Sequence, residues 1–213
     1  MNKINYDKIA QATLKKIRQE GIKPALLLHV CCAGCDCAVL EELYSDFAIT
    51  LYYDNPNIWP QGEYDKRLAE VKRHLAAFNK EHNTGIGLLV ADYDYKQYER
   101  DVAGYIQDKE GGARCQRCYQ LRLKRSFELA KKRGFDYVCT VMTISRQKDS
   151  QILNQLAQAC QSKYNQVEYF YSDFKKRDGQ LRRNALVEKY AIYVQSYCGC
   201  KPSYQNRKLP EGE

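Results

Sequence analysis

The chain has no apolar run long enough to cross a bilayer; the longest, from Ala25 to Ala33, is far too short for a membrane helix. Its first residues, MNKINYDKIAQATLKKIRQEG, lack the apolar centre and small-residue cleavage site of a secretory signal. A cytoplasmic protein without a membrane partner is expected. Repeats, low-complexity tracts and long linkers are also absent, and 213 residues suit one domain (1–213), with 1–23 as an N-terminal helical extension and 201–213 as an unpacked tail. Missing too is a glycine- and serine-rich loop to cradle phosphates after the first apolar strand, where CCAGCDC (31–37) holds a single glycine. That disfavours use of ATP.

Cysteine, by contrast, is abundant: ten in all, four of them within HVCCAGCDC (29–37). In a secreted domain this count would mean disulfides, whereas in a reducing compartment it points to metal or redox chemistry. The 34 Lys and Arg exceed the 26 Asp and Glu, for a net charge of +8, and 18 tyrosines accompany them. Cations for phosphates and rings for unstacked bases suit loop or single-stranded RNA. A solvated basic surface over core tyrosines would have the same composition.

Short apolar runs alternate with helical periods. Strands are predicted at 25–30, 48–54, 86–93, 136–143 and 167–171, and helices at 37–47, 63–82, 95–109, 116–133, 150–163 and 180–195. Near-continuous apolar strands between amphipathic helices argue an α/β fold, a Rossmann-like, mostly parallel sheet with helices on both faces. Ligands of such sheets sit at the carboxyl ends of the strands. HVCC lies there.

Six thiols fall into three sets at element junctions: Cys31 with Cys32, Cys115 with Cys118, and Cys198 with Cys200. The Cys-x-x-Cys of ARCQRCYQLRL (113–123) opens a helix, so its sulfurs share a face. In SYCGCKPS (196–203), Gly199 lets both flanking thiols turn inward. Thiolates favour zinc, copper(I) and iron-sulfur clusters. A four-cysteine zinc site leaves two thiols unexplained; a cluster plus a second metal or a redox pair uses them. Cys35 is open to two readings, a ligand of a second metal or a buried thiol. Cys37, Cys139 and Cys160 read as core, and His29 as a packed strand residue rather than a ligand.

In order along the chain, LLLHVCCAGC, DNPNIWP, RCQRCYQLRL, TISRQKD, SDFKKRDGQLRR and SYCGCKPS form a set that resembles the cluster-type, cobalamin-independent epoxyqueuosine reductases of tRNA queuosine synthesis. The resemblance covers most of the chain. It implies a fold related to nucleotide-binding tRNA-modifying enzymes, a 4Fe-4S cluster with an adjacent mononuclear iron, and reductive loss of the epoxide oxygen of epoxyqueuosine at the anticodon wobble position. Two positions depart from the pattern: Gly34 stands where proline is usual, and Trp59 where histidine is, which favours an apolar or stacking role there. Deoxygenation needs two electrons and two protons. Delivery of electrons one at a time implies a donor such as ferredoxin or flavodoxin, and Asp54, Asp173, Asp178 and the tyrosines are candidate acids. With the resemblance, Lys175, Lys176, Arg177, Arg182 and Arg183 become the expected phosphate contacts for the anticodon arm of tRNA. Arg146 and Lys148 of TISRQKD are expected to face the substrate. The rival readings are a zinc-stabilised RNA-binding module and an ATP-dependent tRNA thiolase.

Overall fold

The computed structural model describes residues 3–206. Five parallel strands, β1 (Ala25–Val30), β2 (Ala48–Tyr53), β3 (Gly87–Val90), β4 (Tyr137–Thr140) and β5 (Glu168–Tyr169), lie in the order β3-β2-β1-β4-β5. The most continuously apolar strand, β1, is paired on both sides, in register Leu28 with Leu51 of β2 and Leu28 with Cys139 of β4. The two-residue side-chain period divides the core. Leu26, Leu28 and Val30 pack with α1 (Tyr6–Glu20), α2 (Ala33–Leu43) and α3 (Gln61–His82), while Leu27 packs with α5 (Ala113–Arg133) and α6 (Ser150–Gln161) on the opposite face. The remaining helices are α4 (Tyr95–Val102), α7 (Gly179–Lys189) and α8 (Lys201–Gln205).

Several boundaries differ from the periodicity, among them the end of α4 at Val102 instead of 109, the start of α5 at Ala113 instead of 116, and β4, which is confined to Tyr137–Thr140. α2 begins at Ala33, not at 37; buried on nearly every side, it has no polar stripe to mark its start. β3 is four residues and β5 only two. α7 ends at Lys189 instead of 195, because Ala191 turns into the left-handed region (φ 47°) and Ile192 N–H closes on the Val187 carbonyl at 2.9 Å. Part of the expected unpacked tail is ordered: α8 buries Ser203 and sets Tyr204 edge-on to Trp59 and Tyr197, with ring centroids 5.2 Å apart in both pairs. Residues 207–213 of that tail lie outside the described residues. Within 1–23, α1 is capped by Asn5, whose side chain accepts from Lys8 N–H at 3.0 Å, and it turns Tyr6, Ala10, Leu14 and Ile17 inward.

Candidate metal centre

Directly after β1, Cys31 leads into Cys32 at the N-cap of α2, and Cys35 follows in the first turn. The sulfurs of Cys31, Cys32 and Cys35 all lie within 4.8 Å of one another, Cys31 and Cys32 at 3.9 Å. Tetrahedral thiolate ligands at about 2.3 Å from zinc sit roughly 3.8 Å apart, so this donor set fits a thiophilic metal. Cys32 and Cys35 donate to the Cys31 sulfur and hold its pKa well below the ordinary thiol value, with Arg122 and Lys148 acting in the same direction. Bonding to Cys31 pushes Cys32 up to about 12 and raises Cys35. One anion shared by two thiols is the arrangement a metal would replace. Gln195 Nε2 caps it from the loop after α7, 3.1 Å from the Cys32 sulfur.

Gly34 makes room for an arginine here. A Cβ on Gly34 would stand 3.1 Å from Arg183 Nη2, and Arg183 Nε donates to the Gly34 carbonyl at 2.7 Å. Cys37 points away, its buried sulfur against the Gly34 and Arg183 carbonyls at 3.9 and 4.0 Å.

The remaining paired thiols come from two distant segments. Cys115 and Cys118 occupy the first turns of α5, and the Cys115 sulfur accepts from Gly111 N–H at 3.2 Å. The loop carrying Cys198 and Cys200 is fastened by Arg67 of α3, whose Nη1 donates to the Cys198 carbonyl at 3.1 Å and Nη2 to the Tyr197 carbonyl at 3.2 Å. Glu63 neutralises that buried guanidinium at 2.7 Å. Gly199 is required twice over: its φ is +127°, and a Cβ would stand 3.1 Å from both Arg67 Nη1 and Ile58. Trp59 N–H donates to the Gly199 carbonyl at 2.8 Å and Tyr197 hydroxyl to the Trp59 carbonyl at 2.6 Å, which docks DNPNIWP on SYCGC. Burial and the neighbouring Cys198 push Cys200 up to about 12. Among the described residues these four sulfurs form no group as tight as the first.

Cations join the two thiol regions. Arg122, one helical turn beyond Cys118, is buried; its Nη2 donates to Asn55 Oδ1 at 2.5 Å and its Nε approaches His29 Nε2 at 3.3 Å. Cys118, Cys31 and Cys198 all stabilise its charge. Lys148 is likewise held charged by Cys198, Cys31, Tyr119 and Cys35. His29 is wholly buried with its pKa lowered to about 3, through desolvation and then Arg122. Neutral imidazole with its proton on Nδ1, facing Thr140 Oγ1 at 2.9 Å, leaves Nε2 to accept from Arg122.

Among the described residues, none of the carboxylates expected as acids belongs to the group formed by Cys31, Cys32 and Cys35. Asp54 is buried, 3.0 Å from Arg125 Nε, and its pKa is raised by desolvation. Asp173 pairs with Lys175 at 3.2 Å, and Asp178 is an exposed N-cap of α7. Several cations of SDFKKRDGQLRR already have internal partners. Lys175 Nζ donates to the Thr143 and Lys148 carbonyls at 2.9 and 3.3 Å; Arg177 binds Asp7 at 2.8 Å and also Glu42; Arg182 binds Glu42 at 2.7 Å. Lys176 and Arg146 are exposed. Gly179 packs so closely on the Phe174 carbonyl that a Cβ would lie 1.7 Å from its oxygen.

The sequence reading left out Arg67, Arg122 and Gln195. Only Arg122 had a signal, its place four residues after Cys118 on one helical face.

The profile of the family described as "Epoxyqueuosine reductase QueH" matches residues 26–206. A protein so named from Streptococcus pyogenes serotype M1 is 39% identical over 198 residues, 93% of this chain and 77% of that one. Its counterpart from Staphylococcus epidermidis is 35% identical over 200 residues, 93% and 84% of the two chains. The one from Thermotoga maritima is 30% identical over 188 residues, 88% and 94%. With a matching profile over most of its length and relatives this similar, the chain belongs to the epoxyqueuosine reductase QueH family.

Proposed function

We propose that this protein reduces epoxyqueuosine to queuosine at the wobble position of the tRNA anticodon, in the cytoplasm, with electrons from a low-potential donor such as ferredoxin or flavodoxin. The observation that carries the reading is the convergence of Cys31, Cys32 and Cys35 at the carboxyl end of the central strand, in a member of the QueH family. We assign to this region a 4Fe-4S cluster and an adjacent mononuclear iron, divided among these thiols and Cys115, Cys118, Cys198 and Cys200, with neither ATP nor cobalamin. Such groups supply single electrons and a Lewis acid.

The chain's own residues do the rest. Arg122, Arg67 and Lys148 offset the thiolate charge in a region of low dielectric, where fixed cations act strongly. Gln195 and the docked 197–200 loop cover the thiols on the side of α3. The overall change balances when two electrons and two protons enter, both C–O bonds of the epoxide break, a C=C bond forms and the oxygen leaves as water.

Protein purified without oxygen should be brown and contain iron and acid-labile sulfide. Once reduced, it should convert tRNA carrying the epoxide into tRNA whose modified nucleoside is lighter by one oxygen, and Cys31→Ala should not. Colourless protein with stoichiometric zinc that binds this tRNA and leaves its mass unchanged would replace the reductase by a zinc-stabilised RNA-binding module.

A further inference from the structure

A groove of about 600 Å³ runs between the N-terminal segment before α1, the loop between β4 and α6, and residues 173–176. Five cations line it against two carboxylates. The acids are already occupied: Asp149 caps α6 by accepting from Gln151 N–H at 2.8 Å, and Asp173 faces Lys175. Lys175 is occupied too, since its bonds to the Thr143 and Lys148 carbonyls tie the two loops together and build the groove floor. Lys148 has its charge stabilised by Cys198, Cys31 and Cys35, which leaves Lys3, Arg146 and Lys176. All three are exposed and have no ion pair or side-chain hydrogen bond among the described residues.

We infer that this groove holds the phosphodiester backbone of the tRNA strand beside the modified nucleoside, with Lys3, Arg146 and Lys176 as the phosphate contacts. The inference rests on the tRNA reading above and moves the contacts away from Arg177 and Arg182, which are committed to Glu42. Three uncompensated charges on three separate chain segments suit a ligand whose own charges are spread along a line, as in a nucleic acid strand, better than one small anion. Position agrees with this. Lys148 lines the groove in the loop that leaves the carboxyl end of β4, and β4 is paired with β1, whose carboxyl end leads into Cys31, so groove and thiols lie at the same end of neighbouring strands. Lys3 adds a contact that lies far outside the TISRQKD and SDFKKRDGQLRR motifs.

The test compares full-length, anaerobically purified protein with the triple variant Lys3→Ala, Arg146→Ala, Lys176→Ala. A second triple, Lys131→Ala, Lys132→Ala, Arg133→Ala, changes the net charge equally at the exposed end of α5, which leads into the amino end of β4, whereas the groove loop leaves its carboxyl end. Affinity for epoxide-bearing tRNA is measured across salt concentrations. Each lost phosphate contact should reduce the slope of log affinity against log salt by about 0.7 to 0.9, so the groove variant should lose roughly two to three and the control little. Turnover of the groove variant at saturating tRNA should stay close to wild type while KM rises. A wild-type slope in the groove variant, or an equal loss in the control, overturns the inference. Lys176→Gln alone, a mild surface change, should lose about one contact's worth of slope. These slopes decide the groove, whereas mass-spectrometric turnover by the wild type decides the reductase reading, so either can fall without the other.

Discussion

Arg122 and Asn55 are joined by a 2.5 Å hydrogen bond from Nη2 to Oδ1, and Asn55 carries that restraint to the end of β1 by donating to the Val30 carbonyl at 2.9 Å. The residue after Val30 is Cys31, so an arginine on α5 sets the position of the thiol elbow through one amide. Asn55→Ala would leave a buried guanidinium donor and a buried carbonyl without partners. A loss of about 2–4 kcal/mol in urea-unfolding stability is expected, together with weaker metal retention. Unchanged stability would show that the pair adds nothing to the fold.

Arg122→Gln should keep a donor toward Asn55 while removing the charge shared by Cys31, Cys118 and Cys198. A bound cluster then gains an electron less readily, and its midpoint potential should become more negative. A tenfold change in the one-electron equilibrium, about 59 mV, is the size to look for by spectroscopic titration. Arg122→Lys should recover part of it.

Cys35→Ala and Cys37→Ala separate a thiol that the sequence leaves open to two readings from one that reads as core. Cys35 belongs to the group within 4.8 Å, and Cys37 bonds only to backbone carbonyls. Iron and zinc analysis should show metal lost from the first variant and retained by the second, whose cost is a small cavity of about 1 kcal/mol. Cys160→Ala, far from the thiol groups, should keep both metal and activity.

Asp36 and His74 form a wholly buried pair, Oδ1 to Nδ1 at 2.8 Å. Burial pushes the Asp36 carboxyl up to about 6 from its ordinary 3.8. Between those values the folded protein holds a proton that the unfolded chain has released, so this group's contribution to stability is present below pH 3.8 and is lost as pH rises to 6. Asp36→Asn lacks that loss. Relative to wild type the variant should gain up to about 3 kcal/mol between pH 4 and pH 7, read from denaturation midpoints at each pH. A constant difference would mean that Asp36 does not titrate in this window.

Much of the architecture was legible because parallel strands buried on both faces must be apolar throughout, as in ALLLHV, and their helices must show one apolar stripe, as in α3. α2 escaped that logic: buried all round, it has no stripe, and its start four residues early is what brings Cys35 into the first turn beside Cys32. The three thiol sets could be placed at junctions from spacing alone. Their cations could not, since Arg67 meets Cys198 across 131 residues and Arg182 meets Glu42 across 140. Charge runs in a sequence show how many cations there are, and only the fold shows which remain unpaired.

The three convergent sulfurs belong to five consecutive residues, at one end of a strand hydrogen-bonded along both sides. A metal held by them alone closes no long loop and needs no distant segment to stay in place, so it restrains the unfolded chain very little. The 190–200 segment, held by Gln195, Arg67 and Trp59, also carries Cys198 and Cys200, so a group that shares those thiols would tie this segment to the strand end and close a loop of more than 160 residues. Amide hydrogen exchange in 190–200 should therefore slow when iron and sulfide are loaded, while β1 stays slowest with or without them. Three sulfurs are thus fixed by the strand alone, and the difference in exchange would report whether the distant loop joins them in holding the group.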